Sequence, residues 1–187
     1  MTDTQNAERS PARRRFLIGA ACALAAPVAS PAIARGLGDY RRLKLTNWRT
    51  AESIDCVYWI DGQYVDEALP AFDHILRDWR LDRATRMDIR LINILASVQK
   101  RLECAEAFEI VSGYRTPETN AALRRRSRGV ARNSYHTRAM AADVAMKTRS
   151  VRQMARAGLT LAAGGVGIYS RSEFVHLDSG PVRDWGR

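Results

Sequence analysis

Cysteine is scarce in this 187-residue chain: Cys22, Cys56 and Cys104 are all it has, with no pair at the short spacing of a zinc finger. Histidine is equally scarce, limited to His74, His136 and His176. Acidic residues are in the minority, 20 against 30 Lys and Arg, for a formal net charge of +10. That balance disfavours basic ligands and favours an anionic partner: nucleic acid, a membrane surface or an acidic polymer. Long apolar runs are missing too. The most apolar stretch, Ile18 to Val28, contains Pro27 and falls short of the ~20 residues that a spanning helix needs. What remains, with 46% hydrophobic and 27% charged residues, has the composition of one ordinary globular domain.

That apolar stretch reads as a targeting segment. Arg13-Arg14-Arg15-Phe16-Leu17 precede it, and Ala32-Ile33-Ala34 follow as a small-x-small cleavage site. The paired arginines resemble a twin-arginine export signal, so residues 1–34 are expected to be a leader and 35–187 the single domain. Stable membrane insertion is not expected after cleavage, and the compartment implied is the periplasm. Cys56 and Cys104 would then meet an oxidising environment, where they either form a disulfide or stay as separately buried thiols. An exported basic domain meets carboxylate-rich peptidoglycan before nucleic acid, so the wall polymer is the expected partner and nucleic acid is not. The densest cluster of charge, Arg124-Arg125-Arg126-Ser127-Arg128, is either a solvated helix face or a binding patch. The oligomeric state is left open.

Chemistry concentrates in the C-terminal half. A catalytic zinc site wants three nitrogen and oxygen ligands with a fourth position for water, and His136, Asp143 and His176 supply that trio. Ala141 to Met146 reads as a short buried strand in which Asp143 shares its face with Ala141 and Ala145, small residues that leave space beside the carboxylate. Gly165 to Leu177, turning around Ser170-Arg171-Ser172, reads as two more strand arms, with His176 on the face of Phe174 and Asp178. Side by side, these strands bring Asp143 to His176, and His136 reaches in from the preceding loop. His74, among Asp73, Arg77 and Asp78, is expected to be exposed.

Upstream, Leu43 and Leu45 alternate with polar neighbours, and Asp61-Gly62 marks a two-residue hairpin turn. Trp48 and Trp59 are candidates for a glycan groove or for the core. Helices are expected over 67–79, with Pro70 in the first turn, and over 85–103, each with an apolar stripe. Phe108 to Val111 is a buried strand, and a third helix starts after Thr116 as cap, with Pro117 first inside it. The fold class is α+β: a small antiparallel sheet carrying the zinc site, packed against several helices.

Several motifs stand together in order: Ser112-Gly113-Tyr114-Arg115-Thr116, Asn120, Gly129-Val130-Ala131, Ser134-x-His136 with Asp143, Gly164-Gly165-Val166-Gly167, and Phe174 to Arg183. Together they resemble the YcbK-like murein endopeptidases, of the D-Ala-D-Ala metallopeptidase and hedgehog-like zinc peptidase group. Ala139 stands where that family usually has glycine. The resemblance implies a Zn2+ enzyme cutting peptide cross-links in peptidoglycan, between diaminopimelate residues. A D-Ala-D-Ala-type carboxypeptidase and a non-catalytic zinc-stabilised wall-binding module are the alternatives. By resemblance Arg115 holds a substrate carboxylate or polarises its carbonyl; the other reading is a structural salt bridge. Two residues compete as general base, Glu173 by its Glu-x-x-His spacing and Asp178 by sharing the face of His176. Asp178 also suits a hydrogen bond that orients a ligand. Ser134 is expected to bond backbone.

Overall fold

The computed structural model describes residues 39–186. Both the leader and its cleavage site lie outside the described residues. Twelve regular elements follow in order: β1 Tyr40–Asn47, β2 Glu52–Ile60, β3 Gln63–Tyr64, α1 Leu69–Ile75, α2 Ile89–Arg101, β4 Phe108–Ser112, α3 Pro117–Arg126, β5 Ala141–Ala145, α4 Val151–Leu161, β6 Gly165–Tyr169, β7 Phe174–Asp178 and β8 Arg183–Gly186. The class is α+β, but the expected small antiparallel sheet is corrected to one sheet of eight strands, ordered β3-β2-β1-β4-β5-β7-β6-β8. Two pairs, β1 with β4 and β6 with β8, are parallel. The first fuses the N-terminal hairpins to the strands that carry Asp143 and His176, because the crossover through α1 and α2 returns the chain alongside β1.

Local chemistry explains most boundaries. Asp61 and Gly62 both take positive φ, 44° and 93°, the geometry that a two-residue hairpin loop requires, and Trp59 pairs with Tyr64 across it. The helix expected over 67–79 is shorter, since it stops at Ile75. Buried Asp78 turns the chain instead, its carboxylate accepting from Arg80 N at 3.1 Å and from Thr116 N and Oγ1, both at 2.9 Å. The second helix also starts late, at Ile89, where Asp88 caps it by accepting from Arg90 N. Thr116 caps α3 as expected, accepting from Thr119 N at 3.1 Å.

The strands of the C-terminal half alternate cleanly. Ala142 and Val144 on β5, and Val175 and Leu177 on β7, turn to the core that α2 and α4 cover with Leu91, Leu95, Val98 and Met154. Asp143 and His176 therefore share the opposite face. Gly113 lets β4 end close against the turn after α1, since a Cβ there would lie 2.2 Å from the Leu76 carbonyl oxygen. Among the described residues no helix is long and apolar enough to cross a membrane.

Candidate metal centre

Asp143 and His176 are directly opposite one another in the β5–β7 ladder. His136 enters from a single 3-10 turn, Tyr135–Arg138, capped by Ser134, whose Oγ accepts from His136 N at 3.3 Å. The turn ends on Ala139 at φ 57°, a left-handed conformation that glycine adopts freely and alanine only with strain. His136 Nε2 lies 3.2 Å from both Asp143 Oδ1 and His176 Nδ1, and His176 Nδ1 lies 2.9 Å from Asp143 Oδ1. Ligands at zinc distances in a tetrahedron stand about 3.3 Å apart, so three buried donor atoms already have nearly that spacing.

Hydrogen bonds on the far side of each ring decide which nitrogen is free. His136 Nδ1 donates to the Gly113 carbonyl at 2.7 Å, which leaves the Nε2 lone pair facing the cluster. His176 Nε2 donates to Asp178 Oδ2 at 2.9 Å, which leaves Nδ1. Such outer bonds fix tautomer and ring orientation. Burial pushes the His136 pKa down and keeps the ring neutral, the state that ligates, although Asp143 opposes the shift. Burial acts upward on Asp143, but His136 and His176 outweigh it and hold the carboxylate well below its usual range. For His176, burial acts downward and is outweighed by Asp143 and Asp178, so its pKa is raised. These residues fit a divalent cation of zinc type.

Arg115 donates from Nη2 to Asp143 Oδ2 at 2.6 Å and from Nε to Ser112 Oγ at 2.8 Å. It therefore has the salt bridge that was one of its two readings, while still lining the cleft. Asp178 is fully buried and accepts from His176, from Gly165 N and Gly180 N, and from Arg183. Burial raises its pKa, but these donors prevail and keep it ionised. Its contact with the cluster is through the outer nitrogen of His176. Glu173 is exposed on a left-handed corner at φ 54°, outside the residues that line the cleft. His74 is exposed and bonded to Glu52, apart from the trio.

The cleft, of about 510 Å³, has an aromatic wall that sequence reasoning missed. Tyr169 stacks on Phe174 with centroids 4.5 Å apart, and Trp185 donates to Tyr169 Oη at 3.0 Å while its ring lies 5.2 Å from His176. Arg183 stacks between Tyr135 and Trp185, at 4.9 and 4.8 Å. A signal existed in Gly165 and Gly167, alternate positions on one strand face: a Cβ at Gly167 would fall 2.7 Å from the Trp185 ring. Only the space was legible; the residues that fill it come from β8.

Comparison with known proteins gives the family. The family described as peptidoglycan L,D-endopeptidase MepK matches residues 36–185. The chain is 38% identical over 175 residues to the peptidoglycan L,D-endopeptidase MepK of Escherichia coli K12, covering 92% of this chain and 96% of that protein. It is equally similar to the Shigella flexneri protein of that name. It is 35% identical over 146 residues to the probable peptidoglycan L,D-endopeptidase MepK of Haemophilus influenzae, covering 78% of each. No solved structure matches significantly. With the match spanning residues 36–185, nearly all of the domain, the chain belongs to the peptidoglycan L,D-endopeptidase MepK family of peptidases.

Proposed function

We propose that this protein is a zinc-dependent murein endopeptidase, exported by its twin-arginine-type leader, residues 1–34, and acting in the periplasm on diaminopimelate-diaminopimelate cross-links. The family likeness implies a hedgehog/D-Ala-D-Ala peptidase-like fold around the site. One observation carries the reading: His136 Nε2, Asp143 Oδ1 and His176 Nδ1 converge within 3.2 Å of one another on the floor of a cleft. Zinc held there would supply the Lewis acidity that lets water attack an amide near neutral pH without a protein nucleophile.

The chain's own residues do the positioning. Gly113 and Asp178 present the two imidazoles by their free nitrogens, and Arg115 orients Asp143 from its other oxygen. Arg115 also leaves part of its guanidinium toward the cleft, where a developing negative charge on the substrate would be met. The aromatic wall of Tyr169, Phe174 and Trp185 restricts water around the peptide.

Digestion of purified sacculi by the mature protein, with and without chelator, tests this. Cross-linked fragments should disappear in the metal-loaded sample alone, and zinc should restore the activity after chelation. Retention on sacculi with no change in cross-linking would favour a binding module. Release of only terminal D-alanine would favour a carboxypeptidase.

A further inference from the structure

Next to the cleft stands a group of arginines that the metal centre does not use. Arg49 lies over Trp48 at 4.3 Å and over Trp79 at 4.9 Å, and Arg80 lies over Trp79 at 4.3 Å. Trp48 is 59% exposed, so the Arg49 guanidinium stacked on it stands at the surface. The same buried carboxylate, Asp78, accepts from the Arg80 amide and from the amide of Thr116, the residue after Arg115. Arg80 is thereby fixed to the strand end that carries Arg115. Arg126 ends α3, and the next residue, Ser127, lines the cleft with Arg115.

These side chains lack counterions. Among the described residues Arg49, Arg80 and Arg126 take part in no salt bridge, whereas Arg42, Arg115 and Arg183 each have one and Arg77 has two. Their fields overlap: the Arg80 pKa is lowered first by desolvation on burial, and further by the positive charges of Arg49, Arg115 and Arg126, with Asp78 opposing. Like charges gathered together, two of them on aromatic shelves, with only the buried Asp78 carboxylate opposing, favour an anionic ligand. Guanidinium groups preorganised by stacking suit carboxylates, which accept two parallel hydrogen bonds.

We propose that Arg49 and Arg80, mounted on Trp48 and Trp79, form together with Arg126 at the end of α3 a binding arm for free carboxylates of the wall peptide, beside the metal-centre cleft. The inference rests on the endopeptidase reading for its substrate class, but not for its geometry. The arm holds a peptide strand away from the bond being cut. It therefore acts on substrate capture, and long polymeric substrate benefits more than a short peptide.

The test combines R49Q, R80Q and R126Q in the full mature protein and follows both sedimentation with native sacculi and the KM and kcat for cross-link release. These side chains are exposed, and far-UV circular dichroism with thermal melting checks the fold. KM should rise about tenfold with kcat little changed, because exposed ion pairs are individually weak and three act together. On sacculi whose carboxylates have been amidated, wild type and triple variant should bind alike. Unchanged KM and sedimentation on native sacculi, or an equal deficit on amidated ones, overturns the arm. Wild-type retention by phosphatidylglycerol vesicles rather than sacculi overturns it in favour of a membrane surface. Sedimentation requires no turnover, so a protein that fails to cleave but still shows the carboxylate-dependent difference rejects the endopeptidase reading and keeps the arm.

Discussion

At the scale of single residues, two acids that are alike in the sequence have opposite surroundings in the fold. Asp178 is buried and spends its oxygens on His176, Arg183 and two backbone amides, while Glu173 is exposed on a left-handed corner. Asp178→Asn removes the charge that holds His176 by Nε2 and leaves the Arg183 guanidinium unpaired. Turnover and zinc retention should both fall, by about 10–100-fold as for other outer partners of ligating histidines, and elemental analysis beside a digestion assay reads both. Glu173→Gln should keep nearly full turnover. Glu173→Gly should also melt higher, by about 1 kcal/mol of relieved backbone strain. A Glu173→Gln enzyme that keeps its metal but is inert would return the base role to Glu173.

At the scale of elements, period-two alternation made the heart of the site legible. That Ala141, Asp143 and Ala145 share a face, and His176 a face with Phe174 and Asp178, followed from parity; the turn at Ser170–Ser172 was legible from its residues, and the pairing of β5 with β7 was supposed and is found in the ladder. The short edge strand β8 escaped because Arg183-Asp184-Trp185-Gly186 has no apolar alternation, and the parallel β1–β4 pairing because it joins residues some sixty positions apart. The early end of α1 escaped because it depends on Asp78 meeting Thr116 across the fold. A second such long-range tie joins β2 to the end of α1: Glu52 accepts from Arg77 at 2.7 and 3.0 Å and contacts His74. Desolvation acts upward on the Glu52 pKa, but the hydrogen bonds from Arg77, Thr50 and His74 prevail and lower it from 4.5 to about 2. A depressed folded-state pKa gives stability that is complete above the unfolded value near 4.5 and is lost as pH falls toward 2. With Glu52 part-exposed and screened, that stability is about 1 kcal/mol. Urea unfolding of Glu52→Gln against wild type should show such a gap at pH 7 and only a minor fraction of it at pH 2.5. A gap that persists undiminished in acid would mean that packing, not charge, joins these elements.

For the molecule as a whole, the question is what holds together a domain expected to work in an oxidising compartment. The sequence left Cys56 and Cys104 free to bridge or not, since nothing local says whether two distant elements touch. In the fold both are free thiols. Cys56 faces the core from β2, beside Leu43 on β1, while Cys104 follows α2 and lies 3.3 Å from Thr148 Oγ1. Stability therefore comes from the continuous core beneath the eight-stranded sheet, in which Leu43, Tyr58, Phe72, Leu91, Phe108 and Ile110 are almost fully buried, and not from a cross-link that would restrict the unfolded chain. The two thiols should also differ in reactivity. Burial pushes the Cys56 thiol up, whereas the hydrogen bonds from Thr148 and the Glu106 amide draw Cys104 down. Thiol titration of the mature domain should find one fast-reacting group in the native state, Cys104, and both after denaturation. Thermal unfolding should be the same with and without reductant, and Cys104→Ser should melt within about 0.5 kcal/mol of wild type, as surface substitutions do. A melting temperature that drops on reduction, or a denatured oxidised sample with no titratable thiol, would show that the two cysteines find each other and that the domain depends on a staple.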